Sequence, residues 1–158
     1  MFARVLEELD AWILRENEDR RADDLQPYKP CTIRLVGQTA LLESGLGVPL
    51  VATQDVDVYA DYEHSVRKKF EELLAHKNLV LDPVGHEAWM PKETEYELAY
   101  QGAYATGQVA HPDFVLVSKA LKAPNKNRVL LTDYLAMGAT DRFLTLAKKY
   151  KVNLEQFL

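Results

Sequence analysis

Leu35-Val36-Gly37-Gln38-Thr39-Ala40-Leu41-Leu42, residues 35–42, passes from an apolar run through one glycine straight into a helical pattern. Cys31 to Val36 reads as a short strand that stops at Gly37. Thr39 to Glu43 reads as a short helical segment, closed by the Gly45-Leu46-Gly47 loop. Free amides at such a helix start can hold phosphate oxygens, and the missing side chain of Gly37 lets a ligand approach the backbone. The same turn also serves simply to fold a strand tightly into a helix. Some fifteen residues later comes Thr53-Gln54-Asp55-Val56-Asp57-Val58-Tyr59, a second strand over Gln54 to Tyr59. Strand side chains alternate between faces, which puts Asp55 and Asp57 on one face roughly 7 Å apart and Val56 and Val58 on the other. Two carboxylates on one face repel unless a cation sits between them, and magnesium is a hard ion suited to that place. An acidic outer strand face is the alternative.

On the N-terminal side, Phe2, Val5, Leu6, Leu9, Trp12 and Ile13 recur at helical spacing, which predicts an amphipathic helix. Charged residues from Asn17 to Asp24 follow it, and Pro27 and Pro30 mark an irregular connection. On the other side, Tyr62 to His76 forms a second amphipathic helix buried through Val66, Phe70, Leu73 and Leu74. Strands are expected near Leu79 to Leu81, around Ala88-Trp89-Met90 and at Glu95 to Tyr100, with Gly102 and Gly107 punctuating a loop. The last third reads as helical. His111-Pro112-Asp113 starts a helix that ends before Pro124, Arg128 to Met137 makes another closed by Gly138, and Thr140 caps a final helix through Tyr150. These elements predict one α/β (α+β) domain over residues 1–158. It has a mixed sheet, covering helices and a helical tail from about 111 to 158 packed on it.

Bulk properties set limits on function. The 158 residues match a common domain size, and 47% hydrophobic with 27% charged is an ordinary globular balance. A formal net charge of −5 gives no bulk attraction to nucleic acid, although metal-bound nucleotide can still bind an acidic protein through the metal. No apolar run suits a membrane span, and acids stand where a signal peptide would be apolar. The single cysteine, Cys31, suits a reducing compartment, so a cytoplasmic protein with no membrane partner is expected.

The strand–glycine–helix unit followed by an Asp-x-Asp strand resembles the nucleotidyltransferase superfamily. The run His111-Pro112-Asp113-Phe114-Val115-Leu116-Val117-Ser118-Lys119-Ala120-Leu121 is similar to the Pro-Glu-Asp-Leu-x-x-x-Lys helix of its abortive-infection AbiEii-type branch. Asn127 to Leu135, with Asp133, resembles the segment that follows there, and the likeness covers roughly residues 31–137. It implies a nucleotidyltransferase-like mixed sheet and transfer of a nucleoside monophosphate from an NTP, with loss of pyrophosphate. The acceptor is unspecified and is an RNA, a protein or a small molecule. It also implies a metal site, for Mg2+ or Mn2+, made by Asp55, Asp57 and a third acid. Glu97 is the choice for that acid, and Glu95, one alternation away, is its rival. Gly37, Gln38 and Thr39 would bind the nucleotide phosphates. Lys119 would neutralise them, unless it is a solvated surface lysine.

Three departures from the family pattern are visible. Gln38 stands where Gly or Ser usually follows the first glycine. Val51 stands where a basic residue often precedes the first aspartate, and the third carboxylate has no unambiguous counterpart. They favour a second expectation, a catalytically degenerate member of the fold acting as a binding or toxin–antitoxin-type interaction module with a protein partner.

Overall fold

A computed structural model describes all residues from Met1 to Leu158. In chain order the elements are α1 (Phe2–Ala22), β1 (Cys31–Val36), α2 (Gly37–Ser44), β2 (Asp55–Ala60), α3 (His64–Ala75) and β3 (Val80–Leu81). There follow β4 (Tyr96–Gln101), β5 (Ala105–Ala110), α4 (Pro112–Lys122), α5 (Arg128–Met137) and α6 (Asp141–Lys149). Short 3-10 turns lie at Gly85–Glu87 and Leu154–Phe157.

The five strands form one mixed sheet in the order β3-β2-β1-β5-β4. β1 pairs antiparallel with β2 and parallel with β5, while β4 pairs antiparallel with β5. The expected α/β class with a mixed sheet is therefore what the chain adopts, with β1 beside β2. Ile33, Leu35 and Val58 turn inward beneath α1 and α3. Arg34, Tyr59 and Gln108 share the opposite face. One apolar cluster runs from Phe2 to Phe157, so the helical tail shares its core with the sheet. No helix is long and apolar enough to cross a membrane.

Three local expectations need correction. α1 continues through the charged stretch to Ala22 instead of ending before Asn17. Asn17 explains this, because its side chain is fully buried, accepts from Tyr28 N at 2.7 Å and donates to Tyr28 O at 3.1 Å. That bidentate contact fixes the helix against the Pro27–Pro30 connection. Second, Ala105–Ala110 is a central strand where the glycines suggested a loop. A Cβ on Gly107 would lie 2.7 Å from Leu6 Cγ and 3.0 Å from Phe2 Cε2. Gly107 is thus the place where α1 lies directly on the sheet, an approach that a side chain would prevent. Third, Ala88-Trp89-Met90 is not a strand. Its carbonyls accept side-chain bonds, Ala88 O from Tyr59 Oη and Trp89 O from Ser118 Oγ, and the segment crosses the sheet instead of joining it.

Candidate functional site

The site is built where β1 ends and β2 begins. Val36 is paired with Asp57, and the chain then turns at Gly37 with φ +69°, a left-handed conformation that other residues adopt only with strain. A Cβ on Gly37 would lie 2.6 Å from Asp57 Oδ2. The glycine therefore serves both the backbone turn and the room beside the carboxylate.

Asp55, Asp57 and Tyr59 alternate with buried Val56 and Val58, so both aspartates lie on the face turned from the core. Asp55 is exposed and Asp57 half-buried. The Asp57 carboxyl is pushed up to about 6. Burial is the largest cause, followed by the charge and hydrogen-bonding reach of Asp82 and then by Asp55, with Lys119 acting in the opposite direction. Asp57 Oδ1 is buried and has no hydrogen-bond partner. Gly85 lies over it, close enough that a Cβ there would sit 2.9 Å from both Asp57 Cα and Oδ1.

Lys119 stands in the middle of α4, half-buried, with Nζ 3.5 Å from Asn127 Oδ1. Burial lowers its pKa most, then Lys126, against a raising influence of Asp57. The lysine is thus near enough to Asp57 to feel its charge, without forming an ion pair with it. Beside this group lies a cleft of about 330 Å³, lined by Gln38, Pro49, Val51, Lys126, Asn127 and Leu130 among others.

The other expected residues are distributed unevenly. Gln38 Nε2 donates to Val51 O at 2.8 Å, which ties its side chain to the loop after α2. Thr39 is buried, and its hydroxyl donates to Asp55 O at 2.9 Å, so it fastens α2 to β2 and presents nothing to a ligand. Glu97 is not brought to the site. It lies on β4, separated from β2 by β1 and β5, and its partner Val109 pairs in turn with Leu35 on the face opposite Asp57. It lines a separate surface cleft with Ala3, Glu43 and Pro112. Glu95, its rival, forms an ion pair with Arg142.

The acid that does reach Asp57 is Asp82, directly after β3, which pairs parallel with β2. The strand expected near Leu79 to Leu81 is this β3, and only its pairing with β2 brings the acid that follows it to Asp57. The available signal was an acid–proline pair, Asp82-Pro83, ending an apolar run beside the Asp-x-Asp strand. No three His, Cys, Asp or Glu side chains converge in a metal-holding arrangement, so the assembled unit is the pair Asp57–Asp82 with Asp55 nearby.

No family model matches the chain, and neither a curated protein nor a solved structure does.

Proposed function

We propose that the chain is a metal-dependent nucleotidyltransferase that moves a nucleoside monophosphate from an NTP to an acceptor hydroxyl. The observation that carries this is the Asp57–Asp82 carboxylate pair. It lies at the Gly37 turn, has no basic ion-pair partner, and includes one buried carboxylate oxygen with no partner at all. Neighbouring carboxyl groups disfavour each other's ionised form, and a cation held between them relieves this. The donor set fits a hard divalent ion. Magnesium is usually held by one or two carboxylates, with phosphate oxygens and water completing its shell. The resemblance to the nucleotidyltransferase superfamily supports the same reading, with Asp82 in the role first given to Glu97.

Asp57 and Asp82 would hold the ion, with Asp55 adding negative charge at its side. A magnesium or manganese ion there would supply positive charge to the phosphate oxygens and acidify the acceptor hydroxyl. Gly37 leaves open backbone where the phosphates approach, and Lys119 offsets their charge from the opposite wall. The cleft between Gln38 and Leu130 offers an apolar floor with amide edges to the nucleoside. In the transfer the acceptor oxygen bonds to the α-phosphorus, the bond from that phosphorus to the bridging oxygen breaks, and pyrophosphate leaves. The hydroxyl proton passes to a carboxylate of this group. We place the protein in the cytoplasm, where nucleoside triphosphates and magnesium abound and the buried Cys31 stays reduced.

A second reading is favoured by one observation. Gly85 rests on the very oxygen that a metal would need, and Gln38 is bound into the neighbouring loop. On that reading the chain is a catalytically degenerate binding or toxin–antitoxin-type interaction module. A panel of nucleotides with magnesium or manganese separates the two, read by thermal shift and by pyrophosphate release. Release that disappears in Asp57→Asn supports the transferase. Silence toward every nucleotide and both metals defeats it and leaves the module.

A further inference from the structure

The residues after β3 do not return along the sheet edge. They cross the open face, and Asp82 to Ala88 passes directly over Asp57. Pro83, Val84, His86 and Glu87 all point outward and are exposed, while the one buried residue of the crossing is Gly85, which has no side chain. Within this stretch the only apolar side chain packed on the core is Ala88, at its far end. Most of its hydrogen bonds are internal: Val84 N to Asp82 Oδ1 at 3.0 Å, Gly85 N to Asp82 O at 3.1 Å and Ala88 N to Gly85 O at 3.1 Å. Beyond Asp82 N, which still bonds to Val56 O at 2.9 Å, its one bond to the body is from Tyr59 Oη to Ala88 O.

The continuation is fastened quite differently. Trp89 packs edge-on against Tyr150 at 5.3 Å, Lys122 Nζ lies 5.2 Å from its ring, and Ser118 donates to its carbonyl. Glu93 is held by Lys149 and Tyr150. One end is anchored on α4 and α6, and the other lies on a carboxylate oxygen that loses its solvent without gaining a donor. Such an oxygen destabilises the closed arrangement. A segment with few buried contacts and an unfavourable resting place belongs to the low-stability end of a fold.

We propose that Asp82–Ala88 is a strap that opens and closes over Asp57, hinged between Leu81 and the Trp89 anchor, and that its opening admits ligands to both oxygens of Asp57. Glycine at position 85 permits the closed state, because any Cβ would meet the Asp57 backbone, which cannot move aside. Asp82, whose backbone stays bonded to Val56 O, is the hinge end of the strap and keeps its place beside Asp57 as the rest lifts. The motion is read from packing alone. Only its consequence, controlled access for metal and nucleotide, rests on the transferase reading.

The test places a thiol beneath the strap with Asp57→Cys, Cys31 being buried with its thiol pushed up to about 12 and so slow to react. Labelling by a bulky maleimide is timed in that protein and after adding Gly85→Ala or Tyr59→Phe. Gly85→Ala is expected to speed labelling by at least about tenfold. Tyr59→Phe, which removes the bond to Ala88, is expected to speed it about fivefold. If Gly85→Ala does not fold by circular dichroism, Tyr59→Phe decides alone. Amide exchange at Gly85 and Ala88 in the otherwise unaltered protein should rise with Tyr59→Phe while exchange in β1 stays unchanged. Rates equal in all three thiol proteins, or strap amides that exchange no faster than those of β1, overturn the proposal. Manganese binding by Tyr59→Phe is followed separately. Its absence, with labelling still accelerated, overturns the transferase reading and leaves the strap.

Discussion

Asp57 and Asp113 are both aspartates drawn into the protein, and the fold treats them in opposite ways. Asp113 sits in the first turn of α4 and is 4% exposed. Thr140 Oγ1 donates to one of its oxygens at 2.9 Å and Arg142 Nε to the other at 3.0 Å. Its own backbone N–H donates to His111 Nδ1 at 3.2 Å, and Thr140 caps α6 by accepting from Phe143 N at 3.1 Å. Every lone pair that matters is matched, and the result joins α4 to α6. Asp57 lies on a strand face beside a second carboxyl group, with one oxygen buried and unmatched. A buried acid that is fully partnered holds structure together. One left unpartnered stores unfavourable electrostatics that a ligand can relieve.

Four measurements sharpen or break this contrast. The largest effect is expected at Asp113. Asp113→Ala leaves Thr140 Oγ1 without its acceptor and Arg142 with Glu95 alone, and should destabilise the fold by about 3 kcal/mol. Urea denaturation reads this, and a loss below about 1 kcal/mol would show that Asp113 is not the joint between α4 and α6. Next comes Gly37→Val. Forcing a β-branched residue into φ +69° against Asp57 should destabilise by about 2 kcal/mol and remove nucleotide binding. A Gly37→Val protein that binds nucleotide like the parent would leave the fold and end the transferase mechanism.

Lys119→Ala is expected to weaken nucleotide binding about tenfold, roughly 1.4 kcal/mol, because charge without backbone is lost there. Isothermal titration reads it, and an unchanged affinity would return Lys119 to a passive role. The smallest effect has the opposite sign. Asp57→Asn removes repulsion, so it should stabilise the protein by roughly 1 kcal/mol at pH 7.5 while losing metal-dependent pyrophosphate release. The pH dependence follows from the raised pKa. Folded Asp57 holds its proton up to about 6 against an ordinary 3.8, so the folded state binds more protons between those values. Its penalty is then fully present above pH 6, shrinks as pH falls through that window, and is gone below about 4. The interval corresponds to about 3 kcal/mol, which screening at a half-exposed carboxylate reduces to roughly 1 kcal/mol. The stability difference between parent and Asp57→Asn should close on acidification. A difference that grows toward low pH would reverse the assignment of Asp57 as the strained acid.

Much of this contrast could be read along the chain, because its parts are local. The strand–glycine–helix turn at Gly37, the alternation of Asp55 and Asp57 with Val56 and Val58, and the caps at His111 and Thr140 depend on neighbours within a few residues. Hydrophobic period, φ preference and capping chemistry all act over that range. Glu97 and Asp82 were beyond it. Glu97 lies within β4 and Asp82 directly after the two-residue β3, and only the strand order and register send one to the opposite face and bring the other to Asp57.

Gly107 shows the same division most clearly. In the sequence a glycine between Ala103 and Gln108 reads as a loop, since glycine weakens a strand that must stand by itself. In the fold it is the point where Leu6 and Phe2 reach the sheet across a hundred residues of chain, and the absence of a side chain is what their packing requires. The sequence by itself determined which segments turn, alternate and cap, because those are contests between adjacent residues. The tertiary structure decided strand order, the burial of Asn17 and Asp113, and which carboxylates meet, because those depend on contacts whose closing segments lie far apart in the chain.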